Sequence, residues 1–136
     1  MKAGKDHIGV GVGGILLRDG RILLLKRNSE PNKGKWEKPG GRVDFGETLE
    51  AAVVREMKEE TGVDCKVVRL LAATSEISPG SHWVSISFLL EGKGEPKLLE
   101  PGKHGEMKWF ALDGIPKGIT ESLKETLRVI ALETKN

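Results

Sequence analysis

The stretch that decides the fold is residues 41–63, which read GRVDFGETLEAAVVREMKEETGV. Its second part predicts a helix over residues 48–61, because apolar residues recur there at helical spacing. Thr48 can cap the N-terminus of this helix, and Gly62 can end it. The residues before Thr48 are rich in glycine, so we expect a loop that leads into the helix.

The apolar stripe of this helix turns acidic in its second half. At about 100° per residue, Glu56 and Glu60 fall in the apolar sector, and Glu59 lies at its edge. The apolar members of that sector are Leu49, Ala52 and Val53. Only Glu59 has a basic partner at helical spacing, which is Arg55, and like charges at this spacing destabilise a helix. The cluster is either a solvated charge patch or a site for a hard cation, Mg²⁺ or Mn²⁺, which prefers oxygen ligands.

The loop before the helix, residues 28–46, combines glycines with positive charges. Gly40 and Gly41 can turn sharply and present bare backbone groups. Lys33, Lys35 and Arg42 supply positive charge to this loop. Because cations neutralise phosphate oxygens and glycines let the backbone approach a ligand, the loop and the acidic helix together indicate a polyphosphate site.

The rest of the chain predicts strands around this segment. The predicted strands are residues 8–17, 22–27, 63–77, 83–91 and 107–112, and a second helix is predicted over 120–133. Asp19 and Gly20 form a tight turn, so the first two strands make a hairpin. This order implies a single α/β domain, residues 1–136, in which helices pack on one sheet.

Composition excludes several classes of protein. A chain of 136 residues suffices for one hydrophobic core. The net charge of +2 gives no support for a nucleic-acid partner held by bulk charge. Cys65 is the one cysteine, so no disulfide forms within the chain, and we expect a reducing, cytoplasmic location. The longest run without polar side chains, residues 8–17, is too short to span a bilayer, so no membrane partner is expected.

The spacing of residues 41–63 resembles the Nudix box, Gly-x5-Glu-x7-Arg-Glu-U-x-Glu-Glu-x-Gly-U, where U is aliphatic. The fixed positions are Gly41, Glu47, Arg55, Glu56, Glu59, Glu60 and Gly62, and Met57 and Val63 stand at the U positions. The resemblance implies the Nudix fold, an α/β/α sandwich with a mixed sheet. It also implies hydrolysis of a phosphoanhydride bond in a nucleoside diphosphate linked to another group, X. The implied cofactor is Mg²⁺, for which Mn²⁺ can substitute.

The resemblance assigns roles to individual residues. The metal-ligating positions are Glu56, Glu59, Glu60 and the carbonyl of Gly41. Arg55 resembles the arginine that orients the glutamates. Glu56 is the first choice for the general base, with Glu59 next. Glu106, whose segment is comparable to one that reaches the metals in several relatives, is a further metal-binding and general-base candidate or else a surface charge.

Several features bear on the substrate. Arg27 resembles an arginine that contacts phosphate in relatives similar to MutT. The other expected phosphate contacts are Lys35, Gly40 and Arg42. Residues 34–37 also resemble MutT-like nucleoside-triphosphate pyrophosphohydrolases, whereas Pro79 lies near a proline that marks ADP-ribose pyrophosphatases. We expect a small nucleotide substrate, a (d)NTP cut to (d)NMP and pyrophosphate. ADP-ribose or a dinucleoside polyphosphate is the alternative.

Three further points stay open. All glutamates of the box are present, which disfavours a non-catalytic nucleotide-binding module, and a lone domain of this kind could also act on RNA 5′ ends. Many relatives are dimers, so a homodimer is one expected form. Lys38 stands where many relatives have a large apolar residue, so its side chain points to the substrate cleft or to solvent.

Overall fold

Seven strands and two helices form the part of the chain that the structure, a computed structural model, describes: residues 1–30 and 32–134. The strands are β1 (Gly9–Arg18), β2 (Arg21–Arg27), β3 (Trp36–Glu37), β4 (Gly40–Arg42), β5 (Asp64–Ser78), β6 (Ser81–Lys93) and β7 (His104–Ala111). The helices are α1 (Leu49–Thr61) and α2 (Glu121–Thr134). Pro31, Lys135 and Asn136, which belong to the predicted loop and domain, lie outside the described residues. Neither described helix has the length and apolar character needed to cross a membrane.

The strands form one mixed sheet in the order β3-β2-β1-β6-β5, with β4 paired to β1 and β7 paired to β2. β1 and β2 make the predicted antiparallel hairpin through Leu17 and Ile22. β1 then runs parallel to β6 from Gly9, opposite Trp83, to Leu16, opposite Leu90. This confirms the predicted mixed sheet.

One helix covers each face of the sheet, which confirms the predicted sandwich. Successive side chains of a strand point to opposite faces. The cluster on the α1 face includes Val12, Leu16, Leu23, Val53 and Met57, all buried. The cluster on the α2 face includes Ile15, Ile22, Leu24, Leu71 and Leu123. Alternate residues of β1 therefore pack into two separate hydrophobic clusters, one on each face of the sheet.

The predicted acidic helix is confirmed as α1. The Thr48 hydroxyl accepts a hydrogen bond from the backbone N–H of Ala51 at 3.1 Å, and Gly62 ends the helix in the left-handed conformation, with φ of 78°. Glu56 and Glu60 are buried on the same side as Ala52 and Val53. The carboxylates therefore lie on the packed side of the helix and not in a solvated patch.

The loop before α1 contains two strands that the sequence did not predict. β4 pairs with the middle of β1, where Gly13 lies opposite Gly40. A Cβ on Gly40 would lie 2.0 Å from the carbonyl oxygen of Val12, so this pairing requires glycine. Strands of two or three residues are too short to show an alternating pattern. The short strands hold Gly40 and Gly41 against the sheet.

Candidate active site

Arg55 gathers acidic side chains at the surface of α1. Its Nε donates to Oε2 of Glu47 at 2.6 Å, and its Nη1 donates to Glu56 at 2.8 Å and to Glu59 at 3.3 Å. Its Nη2 donates to the backbone carbonyl of Arg42 at 3.0 Å. The hydrogen bonds from Arg55 lower the pKa of Glu47 to about 2. Arg55 thus fixes the positions of Glu56 and Glu59, which is the geometry that an orienting role requires.

Gly41 and Glu56 pack directly against each other. A Cβ on Gly41 would lie 2.4 Å from Cδ of Glu56 and 2.5 Å from its Oε2. Any other residue at position 41 would push the carboxylate away, because such distances are far inside van der Waals contact. Because Gly41 has no side chain, the Glu56 carboxylate can occupy the space beside it.

Glu60 is a buried carboxylate with one unsatisfied oxygen. Its Oε1 accepts a hydrogen bond from the backbone N–H of Gly40 at 2.7 Å. Its Oε2 has no hydrogen-bond partner, although Nζ of Lys103 lies 3.2 Å away and Nδ1 of His104 lies 3.6 Å away. Burial raises the pKa of Glu60 to about 7, against the opposing effects of Lys103 and His104. This oxygen is an acceptor that lacks a directed partner.

These groups fit a hard divalent cation. Carboxylate and carbonyl oxygens are the ligands that Mg²⁺ and Mn²⁺ prefer. The unsatisfied oxygen of Glu60 and the space at Gly41 are both features that a cation would use. Within residues 1–30 and 32–134, no three acidic, histidine or cysteine side chains are already close enough to enclose an ion. Glu56 is instead ion-paired with Arg55. Oε2 of Glu60 is ion-paired with Lys103 but has no hydrogen-bond partner.

A second network links the acidic helix to β2. Oε2 of Glu37 lies 3.1 Å from Nη1 of Arg27 and 3.1 Å from Nε2 of His104. Burial alone would raise the pKa of Glu37, but the hydrogen bond to His104 and the charge of Arg27 hold it below its ordinary value. His104 therefore stands between two carboxylates, Glu37 and Glu60.

A cleft of about 300 Å³ opens beside these networks. Gly40 and Gly41 line it together with three cations and two carboxylates, which are Arg27, Lys38, Lys103, Glu37 and Glu76. Its volume lies at the lower end of the range for small-molecule sites. The two glycines touch the buried carboxylates and also line the cleft, so a ligand in the cleft lies close to the acidic helix.

Of the predicted site residues, Arg27, Gly40 and Gly41 line the cleft, whereas the α1 residues Arg55, Glu56, Glu59 and Glu60 do not. Lys35 is half-buried and Arg42 is exposed, and neither lines the cleft. Glu106 lies on β7, where it faces Lys26 across the strand pair at 3.8 Å. None of the contacts described for Glu106 is with the carboxylates of α1. The roles assigned to these three residues stay predictions.

Sequence reasoning missed Glu37, Lys103 and His104. Glu37 belongs to β3, His104 begins β7 and Lys103 lies in the turn just before it, and only the pairing of β2 with both strands brings them beside α1. No local spacing relates them to the box. The burial of His104 cannot be predicted from the sequence, because its partners are distant along the chain.

Comparisons with known proteins agree with this geometry. The NUDIX domain matches residues 6–130. The chain is 46% identical over 114 residues to a protein from Methanocaldococcus jannaschii named ADP-ribose pyrophosphatase, which covers 82% of this chain and 66% of that protein. It is 37% identical over 102 residues to a Chromobacterium violaceum protein named NAD-capped RNA hydrolase NudC, but the match spans only 38% of that relative.

Two solved structures share the fold over almost their whole length. A MutT NUDIX hydrolase from Burkholderia pseudomallei superposes with a TM-score of 0.88 at 40% identity, covering 92% of this chain and 99% of that one. A MutT protein from Methanosarcina mazei Go1 gives 0.84 at 27% identity, covering 95% and 96%. The matched range includes both the acidic helix and the cleft. This chain belongs to the NUDIX domain family of hydrolases.

Proposed function

We propose that this chain hydrolyses a nucleoside triphosphate to a nucleoside monophosphate and pyrophosphate in a reaction that depends on a divalent metal ion. One observation carries the proposal. Gly40 and Gly41 each contact a buried carboxylate, Glu60 and Glu56 respectively, and both line the cleft. A phosphoanhydride bound in the cleft would therefore lie next to the acidic residues that the reaction needs.

Glu56, Glu59, Glu60 and the carbonyl of Gly41 are the residues that would hold the metal. When bound, Mg²⁺ would neutralise phosphate oxygens and lower the pKa of a water molecule near them. Glu56 is the proposed general base, because its carboxylate is packed at Gly41 on the rim of the cleft. Glu59 is the second candidate for this proton transfer. Arg55 holds both carboxylates in place.

Two cations at the rim suit the phosphate groups. Arg27 and Lys103 both line the cleft, and each is already oriented by a carboxylate, Glu37 and Glu60 respectively. Pre-oriented cations stabilise a phosphate chain without much loss of side-chain freedom on binding. Lys35 and Arg42, on the same loop as the glycines, are proposed to meet phosphates that extend out of the cleft.

The charge of the site favours a triphosphate over ADP-ribose. A triphosphate carries more negative charge than the diphosphate of ADP-ribose, and Arg27 and Lys103 place two positive charges at the rim of the cleft. ADP-ribose is the second candidate, because the Methanocaldococcus relative bears the name ADP-ribose pyrophosphatase. A dinucleoside polyphosphate would use the same carboxylates and cations.

A hydrolysis panel tests the proposal. We would compare kcat/KM for dNTPs, oxidised dNTPs, ADP-ribose and dinucleoside polyphosphates at saturating Mg²⁺, with Glu59→Gln as the inactive control. The proposal predicts the highest kcat/KM for a nucleoside triphosphate. A kcat/KM for ADP-ribose far above that of every triphosphate would overturn it.

A further inference from the structure

β1 carries three glycines on one face of the sheet, and two of them, Gly11 and Gly13, line the cleft. Gly9, Gly11 and Gly13 stand at alternate positions, so they share the face that α2 covers further along the strand. Ile15 continues this face into the α2 cluster. A strand face without side chains is unusual, because strands normally fill such positions to pack the core. The absence of side chains at these three positions therefore requires a structural explanation.

Two of the glycines make room for large side chains. A Cβ on Gly13 would lie 2.7 Å from Cε of Lys38, so the aliphatic part of Lys38 rests on Gly13. A Cβ on Gly9 would lie 2.6 Å from ring carbons of Trp83, so the indole rests on Gly9. Lys38 and Trp83 both line the cleft.

Among the described residues, no side chain packs tightly over the middle glycine. A Cβ on Gly11 would meet only the carbonyl oxygen of Gly41 at 3.5 Å and the Trp83 ring at 4.0 Å, both ordinary contact distances. Gly11 is part of the cleft lining and is only partly buried. A slot therefore opens over Gly11, between the indole of Trp83 and the side chain of Lys38.

The floor of this slot is rich in hydrogen-bond donors. Nζ of Lys38 donates to the hydroxyl of Ser122 at 2.6 Å, and that hydroxyl lies 3.0 Å from the hydroxyl of Ser85. Ser85 is the strand partner of Gly11, so it stands beside the slot. Within the described part of the chain, Ser122 is the one hydrogen-bond partner found for this ammonium group, which carries three N–H donors. The charges of Glu76 and Glu37 also act on this ammonium group, but neither carboxylate is found hydrogen-bonded to it, so N–H donors are left for a ligand in the cleft.

We propose that the slot over Gly11 binds the nucleobase of the substrate, stacked on Trp83 and with a keto oxygen hydrogen-bonded to Lys38. Aromatic rings stack favourably on nucleobases. The slot opens into the same cleft as Gly40 and Gly41, so a base in it leaves the phosphates at the rim.

The chemistry of Lys38 selects among bases. An ammonium group only donates, so it matches the keto oxygen O6 of guanine or O4 of thymine. Adenine and cytosine would direct an amino group, itself a donor, towards the same edge. The inference rests on the proposed function, since it supplies the nucleoside site for that reaction. It predicts a preference for guanine and thymine nucleotides.

The test measures binding and not turnover, so it stays informative if the proposed reaction fails. We would titrate the protein with dGMP, dTMP, dAMP and dCMP by calorimetry, and with inorganic triphosphate as a probe without a base. Lys38→Met should weaken the binding of dGMP and dTMP by at least about 10-fold and that of the other two by less than about 2-fold. Its matched control is Lys66→Met, which removes an exposed lysine paired with Glu91 at the far end of the sheet.

A second variant tests the slot itself. Gly11→Ala adds one methyl group at ordinary contact distances, so the protein should fold normally while binding of all four monophosphates falls at least about 10-fold. Gly102→Ala, whose Cβ would meet nothing, is its control. Neither Gly11→Ala nor Lys38→Met should change the Kd of inorganic triphosphate. Equal losses for all four bases with Lys38→Met, no loss, or a parallel loss for inorganic triphosphate would overturn the proposal.

Discussion

Oε2 of Glu60 and Nδ1 of His104 face each other 3.6 Å apart in the interior of the protein, and neither atom has a hydrogen-bond partner. Both side chains are almost completely buried. An unsatisfied buried polar group destabilises the folded state, and burial raises the pKa of Glu60 to about 7. A cation bound at this oxygen would therefore stabilise the folded state.

The first prediction concerns this instability. Millimolar Mg²⁺ should raise the Tm of the protein, because the ion binds the folded state preferentially. Glu60→Gln should raise the free energy of unfolding of the metal-free protein by about 1 kcal/mol, because it removes the buried charge. Thermal unfolding with and without Mg²⁺ measures the first effect, and denaturant unfolding in EDTA measures the second, with Glu50→Gln, an exposed first-turn residue of the same helix, as control. A Tm unmoved by Mg²⁺ together with an unchanged unfolding free energy would count against a metal site on α1.

The second prediction concerns catalysis. Glu59→Gln should lower kcat by at least about 100-fold and leave the protein folded, because a lost ligand weakens charge stabilisation in the transition state. Glu59 is exposed and half of its side chain is accessible, so its removal should not disturb the core. Steady-state kinetics with and without EDTA measures the effect, again with Glu50→Gln as control. Equal activity in EDTA would disprove metal-dependent hydrolysis.

The third prediction concerns the contact between Gly41 and Glu56. Gly41→Ala should lower kcat by about 10-fold or more, because its Cβ would displace the Glu56 carboxylate, 2.4 Å away. The flexible carboxylate can move, so the Tm should fall only slightly. Gly102→Ala, with open space around its Cβ, should leave kcat unchanged. Full activity in Gly41→Ala would show that Glu56 does not need this position.

The fourth prediction concerns pH. Burial lowers the pKa of Lys38 to about 8, against the opposing charges of Glu76 and Glu37, while Ser122 faces it from α2. Between pH 8 and 10.5 the unfolded chain holds more protons at this residue, so folded stability should increase with pH in that window. The wild-type free energy of unfolding should rise relative to Lys38→Met by up to about 3 kcal/mol across it. Parallel pH profiles for the two proteins would show that the ammonium group is not desolvated.

The elements that the sequence predicted well are local ones. α1 has its cap, its stop and its periodic side chains within residues 48–62, and the box that marks the site is one contiguous segment. The hairpin of β1 and β2 depends on one turn. The contacts of Glu37 and His104 depend instead on strand pairing, which a single sequence does not reveal. The homodimer, the cytoplasmic location and the single domain over 1–136 stay predictions.

The orientation of the Lys38 side chain was equally hard to predict from the sequence. The sequence marked Lys38 as unusual but left open whether it faced the cleft or solvent. The structure places it in the cleft, over Gly13 and against Ser122, at 6% exposure. That placement depends on α2, which begins about 80 residues later in the chain and cannot be related to Lys38 by spacing.

Product analysis in isotopically labelled water tests the proposed reaction most directly. The protein would be supplied with Mg²⁺ and each dNTP in ¹⁸O-enriched water, and the products followed by ³¹P NMR. We predict pyrophosphate and a deoxynucleoside monophosphate from at least one dNTP, with the label in the monophosphate after attack at the α-phosphorus or in pyrophosphate after attack at the β-phosphorus. Release of orthophosphate from the dNTPs would contradict the proposed reaction.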